Sequence, residues 1–186
     1  MSVVIAVKKD DTIYFGADTQ ATKPSMKKHL TSGHNTKLFT FNNGVVVGFS
    51  GLAVIQQIVV AHPEWFDLKK DEKLTKEHIN TVIIPSLVKA LEPYDANADQ
   101  FSLIIAYKSD LFEVYGEKVA LRIESKCAIG SGSDVIKYKL YNLDVNGDIN
   151  AQILDALRFS AKFDAHVGAP FLLTNTKDLT VQIKED

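Results

Sequence analysis

The chain has 186 residues, 46% hydrophobic and 24% charged, with a formal net charge of −2 and a pI near 6.2. These values fit one domain with an ordinary core, exclude disordered and fibrous classes, and provide no broad basic field for nucleic acid. The single cysteine, Cys127, permits no internal disulfide. There is neither a secretory leader nor a run of about 20 apolar residues, so a cytoplasmic protein without a membrane partner is expected.

Taken in chain order, Val3 to Val7 and Thr12 to Ala17 are apolar runs around an Asp10-Asp11 turn and predict a buried hairpin. Residues 18–35 turn polar and predict a long excursion or short strands. Lys37 to Phe41 and Val45 to Ser50 flank Asn42-Asn43-Gly44, a strong hairpin signal. Gly51 ends that strand, and helical spacing follows from Leu52 to Ala61 until His62-Pro63. A second helix is expected from about Thr75 to Leu91, with Pro85 as a candidate kink. Short strands are predicted at Phe101–Tyr107, Leu111–Tyr115, Val119–Ile123 and Cys127–Ile129. Helices follow from an Asp134 N-cap to about Asn142 and over Ile149–Phe163, and Phe171–Thr174 with Leu179–Ile183 closes the chain as a strand pair. This order suits a single α+β domain of 186 residues, a four-layer α/β/β/α sandwich of two antiparallel sheets between helix layers.

Several short motifs, each present once, are spread along the whole chain: Gly16-Ala17-Asp18-Thr19-Gln20-Ala21-Thr22, Thr36-Lys37-Leu38, Gly48-Phe49-Ser50-Gly51-Leu52-Ala53 and Ile129-Gly130-Ser131-Gly132-Ser133. On these motifs the sequence resembles the proteasome β-subunit and HslV-like family of N-terminal-nucleophile hydrolases. The resemblance implies a peptidase of threonine-protease type. Ser2 stands at the nucleophile position, exposed by removal of Met1, and Asp18, Lys37, Gly51, Ser131 and Asp164 complete the catalytic set. It further implies that Thr22 holds substrate backbone and that Ala21, Asn35, Phe49 and Ala53 border the pocket for the residue before the cut. By the same resemblance the partners are a peptide or unfolded protein, other copies of the chain in a homo-oligomeric ring, and an ATP-dependent unfoldase.

The chemistry needs these residue types together. A hydroxyl on the first residue has its own α-amine, of ordinary pKa about 7.7 to 8.0, as a neighbouring base. A close Lys37 ammonium disfavours protonation of that amine and steadies an alkoxide, and Asp18 balances the lysine. A Gly51 N–H can receive an oxyanion, and Ser131 with Asp164 would orient the amine.

Two departures from the family pattern stand out. Serine lacks the methyl that restricts threonine's χ1, so its hydroxyl is less preorganised. Val167 occupies a place where the family usually has a serine. A catalytically silent ring or scaffold subunit, and a transpeptidase or ligase that resolves the acyl-enzyme with an amine, therefore remain as alternatives. Cys127 and His166 read as structural. His29, His34, His62 and His78 lack metal-ligand spacing, and no metal or cofactor is expected.

Overall fold

Val3, Ile5 and Val7 belong to one apolar cluster and Val4 and Ala6 to another, which is why the first run reads as continuously hydrophobic instead of alternating. The computed structural model describes residues 2–23, 26–31, 36–68, 73–94, 101–115 and 119–185. The first sheet contains β1 (Val4–Lys9), β2 (Thr12–Asp18), β10 (Lys126–Ile129), β11 (Phe171–Asn175) and β12 (Gln182–Lys184), in the order β10-β1-β2-β11-β12. The second contains β5 (Leu38–Thr40), β6 (Val45–Gly51), β7 (Phe101–Tyr107), β8 (Asp110–Tyr115) and β9 (Val119–Arg122), paired in chain order. Every strand pairing in both sheets is antiparallel. The polar excursion forms a separate two-stranded hairpin, β3 (Gln20–Lys23) with β4 (Met26–His29).

Helices α1 (Ala53–Ala61), α2 (Lys76–His78), α3 (Ile84–Leu91), α4 (Ser133–Tyr141) and α5 (Ile149–Phe163) complete the regular structure; a π-helical segment, Ile79–Ile83, joins α2 and α3. Three apolar clusters hold these elements. One joins Val47, Phe49, Leu103, Ile105 and Val114 of the second sheet to Ile55 and Val59 of α1 and to Ile79, Ile83 and Leu87. Another joins Val4, Ala6, Phe15 and Ile129 of the first sheet to Leu38, Val46, Ile104 and Leu111 of the second. The last joins Ile5, Val7, Phe171 and Leu173 to Ile136 of α4 and Ile153 and Leu157 of α5.

Several boundaries differ from the sequence expectation for physical reasons. Thr75 caps α2, its side chain accepting from His78 N–H. The expected kink at Pro85 is instead a π segment just before it. Proline lacks an N–H and crowds the carbonyl four residues earlier, and a wider turn relieves both problems. Asp134 is not the N-cap of α4; Gly132 is, and Asp134 lies in the first turn, paired with Lys137 at 2.6 Å. The last strand begins at Gln182 because Leu179 has φ 62°, outside extended geometry, after a turn organised by the Asn175 side chain. Lys37 and Phe41 flank β5 without joining it.

Candidate active site

Ser2 precedes β1 and is 4% exposed. Its carbonyl accepts from Gly132 N–H at 3.1 Å, and the next amide, Val3 N–H, donates to Asp18 Oδ1 at 2.9 Å. Gly130 makes this approach possible. It has φ 93°, and a Cβ there would collide with the Ser2 carbonyl and the Ser50 hydroxyl.

Asp18 ends β2 and is fully buried. Besides Val3 N–H, its Oδ1 accepts from Lys37 Nζ at 2.7 Å, and its Oδ2 accepts from Gln20 N–H at 3.0 Å. Lys37 Nζ also donates to the Gln20 carbonyl at 2.6 Å. Burial pushes the Asp18 carboxyl up and the Lys37 ammonium down, and their mutual attraction and hydrogen bonding oppose both shifts. The Asp164 carboxylate is near enough to favour the charged lysine as well. The backbone before the lysine is held from α1: Gln56 Nε2 donates to the Thr36 carbonyl at 2.6 Å.

Asp164 is the C-cap of α5. Its Oδ2 accepts from the Ser131 hydroxyl at 2.6 Å, and its Oδ1 accepts from His166 N–H at 2.9 Å. Val167 is buried in the α4–α5 cluster, where Gly132 leaves room for its methyl groups. Gly51 closes β6, with α1 starting two residues later, so its amide is not one of the helix's own free N–H groups. Its φ of 146° suits glycine.

Ser2, Asp18 and Lys37 therefore converge, with Ser131 and Asp164 as a second polar pair beside them. Among the expected substrate contacts, Thr22 and Ala53 are exposed and Ala21 is half-buried. Phe49 is 2% exposed and packs in the cluster with α1, on the face of β6 opposite Gly48 and Ser50. Asn35 lies outside the described residues. Sequence reasoning passed over Gln20, Ser50 and Gln56. Strict alternation along β6 was the available signal for Ser50, and the polar gap in the apolar face of α1 was the signal for Gln56. A groove of about 940 Å³ lies elsewhere, along β5 and the end of α1, lined by Phe39, Phe41, Val60, Glu64, Asp67 and Ile183 among others; none of the six expected catalytic residues lines it. Among the described residues no group of His, Cys, Asp and Glu could hold a metal ion, and no helix is long and apolar enough to cross a membrane.

No protein-family model and no curated protein sequence matches the chain. Solved structures do. Thiobacillus denitrificans BPH in complex with Epoxomicin superposes with TM-score 0.75 at 22% identity, over 96% of this chain and 99% of that one. HslV from Trypanosoma brucei superposes with TM-score 0.67 at 20% identity, over 93% and 98%. Anbu (ancestral beta-subunit) from Yersinia bercovieri gives TM-score 0.76 at 14% identity, over 99% and 88%. HslV and Anbu are proteasome-like N-terminal-nucleophile hydrolases, and the chain has their fold.

Proposed function

We propose that the protein is a peptidase of the proteasome-like N-terminal-nucleophile class, a serine variant of the threonine-protease type, acting after removal of Met1. The Ser2 hydroxyl attacks a peptide carbonyl while its proton passes to the Ser2 α-amine. Gly51 N–H receives the oxyanion, with Lys37 steadying the developing charge and Asp18 holding Lys37. Collapse breaks the C–N bond, the departing amine takes the proton from the α-ammonium, and water then hydrolyses the Ser2 ester. Ser131 and Asp164 orient the α-amine; Thr22, with Ala21, Asn35 and Ala53, holds the substrate.

The observation that carries this reading is the buried Asp18 carboxylate, which gathers Val3 N–H, Lys37 Nζ and Gln20 N–H within 3.0 Å, one residue from Ser2. An ion pair this buried is costly to build, and its place beside the first residues of the chain favours chemistry over a purely structural role. The burial of Phe49 leaves Ala53 and Ala21 as the small residues around the substrate side chain.

The three apolar clusters support a single domain of four layers, α/β/β/α. A cytoplasmic homo-oligomeric ring fed by an ATP-dependent unfoldase completes the proposal and rests on the family resemblance. The test is treatment with epoxomicin, which Thiobacillus denitrificans BPH binds, followed by peptide mapping. An adduct on the Ser2 peptide, absent from Ser2→Ala, is the expected result; an unmodified Ser2 overturns the mechanism.

Val167 favours a second reading, a catalytically silent ring or scaffold subunit. Its apolar side chain is packed in the core and offers the α-amine no hydrogen bond. Under that reading neither label nor peptide product forms. Added amine nucleophiles captured in the product would instead indicate a transpeptidase.

A further inference from the structure

Gln20 is 3% exposed, and its backbone and its side-chain Nε2 reach different parts of the site. Its backbone N–H donates to Asp18 Oδ2 and its carbonyl accepts from Lys37 Nζ. Its side-chain Nε2 donates to the Ala165 carbonyl at 2.7 Å and to Thr22 Oγ1 at 3.2 Å. Ala165 directly follows Asp164. The loop is shaped to admit the amide: a Cβ at Gly168 would lie 2.5 Å from Gln20 Oε1. A buried carboxamide is costly unless its groups are bonded, so its retention here points to what it joins.

We infer that the Gln20 carboxamide is a positioning group that ties the Asp18–Lys37 pair and the Thr22 hairpin to the loop carrying Asp164, fixing the two polar pairs of the site relative to each other. The inference deepens the functional reading above and rests on it for the role of Ser2. The amide adds a side-chain tie to the bonds that already hold this loop: the Ser131 hydroxyl to Asp164 Oδ2, Asp164 N–H to the Ser160 carbonyl, and the Thr19 hydroxyl to the Pro170 carbonyl. Among the described residues, the charged groups facing Lys37 are Asp18 from β2, Asp164 from the end of α5 and, in the proposed mature chain, the Ser2 α-amine.

The test uses the full-length protein with Gln20→Met, which keeps length and loses the donor, and Gln20→Glu, which keeps shape but turns the donor into a charged acceptor. Two quantities are measured: the rate of Ser2 labelling by the electrophile across pH, and the titration of the Lys37 side chain by NMR. Positioning predicts labelling slowed roughly 10- to 100-fold in both variants, a displaced pH profile, and in Gln20→Met a Lys37 midpoint moved downward as Asp164 recedes; in Gln20→Glu the added carboxylate opposes that fall. A labelling rate, pH profile and Lys37 midpoint all equal to wild type, with or without a lower Tm, would overturn it. Should the wild-type protein itself refuse label, the peptidase reading falls and the Lys37 titration alone decides the role of Gln20.

Discussion

Lys37 Nζ and Asp18 Oδ1 lie 2.7 Å apart, with side-chain exposures of only 5% and 0%. Burial disfavours the charged form of each side chain, and the attraction between the two opposes that cost, with help from Val3 N–H and Gln20 N–H on Asp18 and from Asp164 on Lys37. Removing one partner, as in Lys37→Met or Asp18→Asn, strands the second in a water-poor site and is expected to cost about 3–5 kcal/mol. The double variant restores much of that loss while remaining unlabelled at Ser2. Urea unfolding of the two singles and the double measures the coupling; additive losses would contradict it.

Gly130→Ala is expected to destabilise by about 1–3 kcal/mol, since φ 93° is strained for alanine and the new methyl meets the Ser2 carbonyl. The same shift displaces the nucleophile, so labelling falls more than stability does. Thermal unfolding and labelling kinetics on one preparation separate the two effects.

Ser131→Ala and Asp164→Asn remove a 2.6 Å bond between half-buried side chains. Both variants should fold with less than about 1.5 kcal/mol lost. Labelling should slow roughly 100-fold in each, and the double variant should be little slower than either single, because the pair acts as one unit. Steady loss at each step would show that the two residues act separately.

Glu113 gives a prediction remote from the proposed chemistry. It is 5% exposed on β8, and burial raises its pKa while a hydrogen bond with Tyr115 opposes the rise. The folded protein therefore holds this proton to higher pH than the unfolded chain does. The contribution of Glu113 to stability is full below the ordinary glutamate pKa and is lost as pH climbs through the raised one. Glu113→Gln should flatten that fall and raise Tm at neutral pH relative to wild type. An unchanged pH profile would contradict the assignment.

The meeting of Asp18 and Lys37 was legible through the motif resemblance, which singles out both residues. Asp18 ends β2 and Lys37 directly precedes β5, two strands that belong to the hairpins signalled by Asp10-Asp11 and Asn42-Asn43-Gly44. Side-chain direction was less legible. Phe49, two residues before Gly51 in the motif, turns to the face opposite Ser50, a consequence of period-two alternation that motif matching ignores. Gln20 was hidden for another reason. Its partner Ala165 lies 145 residues away and contributes only a carbonyl, which has no sequence signature. The π segment before Pro85 likewise reflects a backbone accommodation that residue types announce only as a break.

In the proposed mechanism Ser2 becomes the first residue and the nucleophile. Intact mass of the purified native protein, with N-terminal sequencing, before and after treatment with an electrophile that needs both a free hydroxyl and a free amine on one residue, tests it most directly. The account predicts a chain beginning at Ser2 that gains one label, and a Ser2→Ala chain that gains none. A chain that keeps Met1 and refuses the label would contradict it and leave the scaffold reading in its place.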